Sequence, residues 1–135
     1  MLENKETGKQ YAHINTHLDH VGEQARTNGL DLVLKKAASF DIPVVVTGDF
    51  NFEKSNSLYT QLVSGCLTDT QDTAENTMYG KTYHGYNGGV EGEPIDFVLT
   101  NDKIMQVKNY AIIRELYNDR LISDHYPIYA DVIMP

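Results

Sequence analysis

From Tyr11 to Leu18 the residues alternate with the two-residue period of an extended chain. Ala12, Ile14, Thr16 and Leu18 fall on one face, and Tyr11, His13, Asn15 and His17 fall on the other. The polar run from Asn4 to Lys9 reads as a turn, which makes Met1 to Glu3 the stub of a partner strand. At Val21 the period changes. Val21, Ala25, Val33, Leu34, Ala37 and Ala38 share one helical stripe, so the spacing predicts a helix over 21–40. Pro43 then opens Val44-Val45-Val46, a β-branched run without polar alternation, as in a strand covered on both faces. Ser55 and Ser57 are expected caps for a helix carrying Leu58, Leu62 and Val63, closed by Gly65. The stretch from Thr70 to Glu93 is rich in Gly, Asn, Thr and Tyr and reads as a long loop over a site. Strands are expected after it at 95–99, 107–113 and 126–133. Strands alternating with helices at first, then strands alone, predict an α/β domain with a mixed sheet, without internal repeat or linker.

The 135 residues suffice for a hydrophobic core, and with 41% hydrophobic and 22% charged residues the composition is that of a globular chain. No apolar run approaches the roughly 20 residues of a membrane-spanning helix. Met1 to Gln10 lacks the apolar centre of a secretory signal, and the start reads as an internal position of a longer protein, so the compartment is left open. A single cysteine, Cys66, excludes an intrachain disulfide and any multi-cysteine metal site; it is expected to be a small packed residue. The formal net charge of −8 is opposite to the balance of a protein that grips nucleic-acid backbones. It counts against tight, sequence-independent DNA binding and leaves a nucleic-acid substrate possible.

Four segments gather polar groups where strands end: Asn15-Thr16-His17-Leu18-Asp19-His20, Gly48-Asp49-Phe50-Asn51, Ile95-Asp96-Phe97-Val98 and Ser123-Asp124-His125-Tyr126-Pro127. Ligands of α/β sheets bind outside the carboxyl ends of strands, which suits the first two. Residues i and i+2 of an extended segment point the same way, so Asp49 and Asn51 can converge on one ligand. The carboxylate there can move a proton and the amide can donate to a developing oxyanion. An Asx turn leaving the strand explains the pair about equally well. Asp124 and His125 are adjacent in an extended segment and face opposite ways, which divides their labour between a cation and a water. Asp96, from a neighbouring strand, is the natural group to orient His125, fixing its tautomer and raising its basicity. His17 lies on the polar face of its strand and is expected to point into the site, with Asp19 as a helix cap. No matching ligand pair recurs elsewhere to support zinc. Arg26 is expected either to reach a phosphate or to lie on a solvated helix face, and His84 either to line the substrate mouth or to be idle in its loop.

In order and spacing the four segments resemble the second half of the endonuclease/exonuclease/phosphatase superfamily, from about Tyr11 to Ile133. Asn15 to Arg26, with Thr82 to Tyr86, is similar to its uncharacterised bacterial members. The resemblance implies half of a four-layer α/β/β/α sandwich, a mixed sheet with helices on one face, with residues 1–135 as a single partial domain. It implies that His17 contacts phosphate, that Asp49 and Asn51 handle the nucleophilic water and the transition-state oxygen, and that Asp96 pairs with a catalytic His125. Asp124 falls at a metal-associated aspartate. The reaction implied is hydrolysis of a phosphoester by water, assisted by Mg²⁺ or Mn²⁺, with the substrate class left open. The metal-binding glutamate of the family and the asparagine ending its first strand belong to the half that this chain does not contain. The expected partner is therefore that amino-terminal half or a self-associated copy, and the fragment alone is expected to hydrolyse little; the alternative is a non-catalytic remnant or binding module that retains the motifs.

Overall fold

The computed structural model describes all residues, 1–135. In chain order the elements are β1 (Leu2–Glu3), β2 (Gln10–His17), α1 (Glu23–Ala38), β3 (Val44–Asp49), α2 (Ser57–Val63), β4 (Leu67–Asp69), α3 (Thr70–Thr73), β5 (Asn76–Thr77), β6 (Asp96–Asn101), β7 (Gln106–Ile112) and β8 (Ile128–Ile133). They form a five-stranded sheet, β1-β2-β3-β6-β4, and a three-stranded sheet, β5-β7-β8. The larger sheet is mixed, as expected: β2 and β3 run parallel, while β6 is antiparallel to β3.

The alternation in β2 survives folding, with Ala12 and Leu18 buried and His13, Asn15 and His17 exposed. The inward face joins Val44, Val46, Phe97 and Leu99 of the neighbouring strands. Together with Leu30, Val33 and Ala37 of α1 and Leu62 of α2 they make the main core of 13 buried residues. Helices thus cover one face of the sheet. The opposite face is largely polar, where His13 Nε2 meets Thr47 Oγ1 at 2.8 Å and that hydroxyl donates to Asn15 Oδ1 at 2.8 Å. Val45, expected to be covered, is half-buried on this side.

α1 differs from the expected stripe because the helix starts two residues later than the apolar pattern does. Val21 falls outside it and is 78% exposed, Ala25 and Ala38 are exposed, and Leu30 takes the central buried position. Asp19 does not cap the helix, whose N-cap is Gly22; its carboxylate instead accepts from the N–H of Val21 at 2.8 Å, one turn earlier. Gly29 sits mid-helix despite its poor helix propensity, where a Cβ would lie 2.8 Å from the Leu18 side chain that packs beneath α1. The cap of α2 is Asn56, accepting from Leu58 N at 2.9 Å, rather than Ser55 or Ser57. Cys66 is exposed beyond that helix, not packed.

The polar stretch after Thr70 is only partly a loop. It begins with α3 and β5, and Thr70, Gln71, Thr82 and His84 within it are buried. The buried Asp69 is matched by Lys54 at 2.9 Å and by the Tyr59 hydroxyl at 2.9 Å, which also binds Asp72. An unpaired carboxylate so deep would be costly, so this network fixes β4 and α3 against α2. The smaller sheet has its own cluster of Tyr110, Ile112 and Tyr126, and it touches the larger sheet where β8 meets β6.

Candidate active site

Strand register places the polar ends side by side. His17 pairs with Asp49 across the parallel β2–β3 ladder, and Asp49 pairs with Asp96 across the antiparallel β3–β6 ladder. One row of the sheet therefore carries His17, Asp49 and Asp96. Because β6 runs against β3, the first residue of β6 lies beside the last of β3. His125 comes to the same corner from outside the sheet, just before β8, held by an isolated bridge to Tyr83.

His125 Nδ1 lies 2.8 Å from Asp96 Oδ2, the expected pairing. With Nδ1 so engaged, Nε2 faces the cluster, 3.8 Å from Asp49 Oδ2. His17 Nε2 approaches the same oxygen at 3.3 Å. Partial burial alone would lower the His125 pKa, but the hydrogen bond and charge of Asp96, together with Asp49 and Asp124, outweigh it and hold the imidazole above the ordinary histidine value. Asp49 is raised above the usual carboxylate range, chiefly by burial. The Asn51 N–H opposes that shift, the Asp96 charge adds to it, and the two histidines counter it in part. A cleft of about 340 Å³ opens over the row, lined by Asn15, His17, Thr47, Asp49, Asp96 and Ile128 among others, with no lysine or arginine.

Asn51 is beside Asp49 but differently engaged. Its N–H donates to Asp49 Oδ1 at 2.9 Å, the Asx-turn arrangement, with its backbone at φ 54°. Its side-chain amide donates to the Leu18 carbonyl at 2.8 Å, tying the ends of β2 and β3 together. Arg26 does not reach the cluster: its guanidinium donates to the Asp19 carbonyl at 2.7 Å. His84 does not line an open mouth either. Its ring is 4% exposed and packs 4.1 Å from the Tyr126 ring, with Nδ1 accepting from Tyr86 N at 3.2 Å.

Asp49, Asp96 and His125 can each offer one ligand atom, all within 4.8 Å of one another. One oxygen of Asp96 is already held by His125 and one of Asp49 by the Asn51 N–H. What remains suits one side of a divalent cation that takes about six oxygen ligands. Asp124, expected at the metal, stands outside that group. Its carboxylate meets Ser123 Oγ at 3.4 Å, and its carbonyl receives the N–H groups of His84 and Gly85.

No family model and no curated protein matches the sequence. Solved structures do match. An endonuclease/exonuclease/phosphatase from Bacteroides vulgatus is 32% identical with a TM-score of 0.84, over 98% of this chain and 53% of that one. The chain carries one half of the endonuclease/exonuclease/phosphatase fold. A mannosyl-6-phosphatase from Bacteroides thetaiotaomicron matches this half-fold with a TM-score of 0.88 and 26% identity, over 98% of this chain and 54% of that one. TDP2 from Caenorhabditis elegans shares the fold at 20% identity, with a TM-score of 0.69 over 94% of this chain and 56% of that one. The half-fold thus spans about half the length of each.

Two groups at this corner carried no assignment in the sequence, Thr82 and Tyr83. The Tyr83 ring lies 5.1 Å from that of His125, and Thr82 is fully buried behind Asp96. Their one sequence signal was the run Thr82 to Tyr86, which is polar and aromatic without a catalytic pattern of its own.

Proposed function

We propose that this chain is the half of a divalent-metal-assisted phosphoester hydrolase that supplies its acid–base and phosphate-contacting groups. The observation that carries the reading is the convergence of His17, Asp49 and Asp96 in one sheet row with an Asp96-bound His125. Asp49, made more basic by partial burial and next to two imidazoles, is suited to accept the proton of an attacking water. His125, whose protonated form Asp96 favours, is suited to stabilise charge on a phosphoryl oxygen, and exposed His17 to bind the phosphate. Mg²⁺ or Mn²⁺, when bound, would neutralise phosphate charge and polarise the phosphorus–oxygen bond. Asp49 and Asp96 would hold it in part, with Asp124 as a more distant contributor, and the remaining ligands would come from the complementary half of the fold.

The substrate favoured is a small phosphomonoester such as a sugar phosphate. The cleft without lysine or arginine and the acidic chain count against a polyanionic nucleic acid, and the Bacteroides thetaiotaomicron protein of the same fold is a mannosyl-6-phosphatase. The partner proposed for the polar sheet face is the complementary half, with a second copy of this chain as the competing occupant.

The test compares the chain alone with the chain fused to the part of the Bacteroides vulgatus protein that it does not match. Hydrolysis of mannose 6-phosphate, p-nitrophenyl phosphate and bis-p-nitrophenyl phosphate is followed with Mg²⁺ or Mn²⁺. Turnover that appears in the fusion and is lost in Asp49→Asn and His125→Ala supports the reading. A folded fusion with no turnover on any of the three would mark the chain as a non-catalytic binding module.

A further inference from the structure

The two halves of the Asp96–His125 pair belong to different parts of the fold. Asp96 starts β6 of the larger sheet, whereas His125 precedes β8 of the smaller one. No ladder joins the two sheets. A charged hydrogen bond of 2.8 Å between them requires some other element to set their separation. The segment around Thr82 meets that requirement. Its hydroxyl oxygen accepts from Ile95 N at 3.0 Å and from Asp96 N at 3.2 Å. Its carbonyl accepts from Tyr126 N at 2.8 Å, and the next residue, Tyr83, bridges to His125. Thr82 is 0% exposed, so water cannot replace its hydroxyl at those two N–H groups.

We propose that Thr82 is a positioning residue that registers Asp96 against His125, its side chain holding the aspartate and its main chain the histidine. The proposal deepens the hydrolase reading and rests on it for its functional meaning, while the geometry it concerns is measurable without turnover. A threonine chosen for burial alone would need only its methyl group and a satisfied hydroxyl. Here the hydroxyl meets two successive N–H groups, one of them belonging to the residue whose carboxylate binds the histidine. Removing that acceptor frees the start of β6 to shift, and the carboxylate shifts with it.

The test uses ¹⁵N-labelled chain and the imidazole Nδ1–H proton of His125, together with amide exchange at Ile95 and Asp96. In the wild type the imidazole proton is expected downfield and slow to exchange, and Asp96→Asn gives the reference for a broken pair. Thr82→Val, close to threonine in shape, should lose the resonance or speed its exchange at least about tenfold, equivalent to about 1.4 kcal/mol. The two amides should lose protection with it, and Thr82→Ser, keeping the hydroxyl and losing the methyl, should restore both. Thr82→Ala is read alongside, so that a misfolded valine variant does not decide the outcome. A folded Thr82→Val or Thr82→Ala with an unchanged His125 resonance would overturn the proposal, as would a serine variant as defective as the valine one. An intact resonance together with a folded fusion that never turns over phosphoester would fault the hydrolase reading and leave this one standing.

Discussion

Gly48→Ala probes the closest approach in the sheet. A Cβ at Gly48 would stand 1.9 Å from the Thr16 carbonyl oxygen and 2.8 Å from its carbon, both backbone atoms. Contacts below 3.0 Å are essentially never seen, so the strands must part by at least 3.0 − 1.9 = 1.1 Å. Thr16 and Gly48 are register partners, one step from His17 and Asp49, so the displacement falls on the site itself. Forcing one extra methyl into a packed strand pair costs about 1–3 kcal/mol. For a chain of this size that lowers the Tm by about 3–12 °C. A displacement of about 1 Å at a reacting group can cost about 100-fold in rate. Urea and thermal denaturation measure the first effect and turnover of the fused protein the second. A variant with the wild-type midpoint and full activity would refute the reasoning, because the contact leaves no side-chain movement to absorb the methyl.

Asp96→Asn should lower the His125 pKa, since the hydrogen bond and charge that raise it are removed; NMR titration of the ring checks this, and an unchanged value would contradict the pairing. The raised folded pKa of His125 contributes stability that is fully present below the ordinary histidine value and is lost as pH rises through the folded one, so denaturation midpoints should fall over that window in the wild type and less in His125→Ala. Lys54→Met leaves Asp69 buried with only neutral partners and should destabilise the fold by about 3–5 kcal/mol in urea melts. The chain alone should show mass above the monomer in light scattering or gain solubility with its complementary half, whereas a dilute monomer with strong turnover would contradict the need for a partner.

How far the sequence could be read depended on whether local pattern or distant contact decided each group. β2, β3 and β6 were legible because alternation, or a β-branched run, fixes a strand without reference to its neighbours. The site row followed from strand ends, and Asp96 with His125 from the order of motifs. Other residues depended on contacts that the local pattern does not fix, whether near or far along the chain. Arg26 has the chemistry to bind phosphate, but a carbonyl seven residues back holds it first. His84 looks like a loop residue until Tyr126, far along the chain, stacks on it and excludes solvent. Asn56 outcompeted two serines as a cap because the helix begins where its own amide oxygen can reach Leu58 N. Asp69 and β4 were invisible because a carboxylate in a buried strand is credible only once Lys54 and Tyr59 are seen to meet it.

The unequal cores under the two sheets also divide the site into regions of different persistence. Asp96 stands on a unit closed by 13 buried residues, whereas His125 leans on a cluster of three. Opening free energies in native proteins follow such differences, ranging from fraying segments up to the full stability of the domain. The strands β7 and β8, with the Tyr126 segment between them, should therefore exchange their amide hydrogens through partial openings that leave β3 and β6 closed. In each such opening the histidine departs while both aspartates stay. Mild heating should separate His125 from Asp96 before the molecule unfolds, and the pair should re-form on cooling.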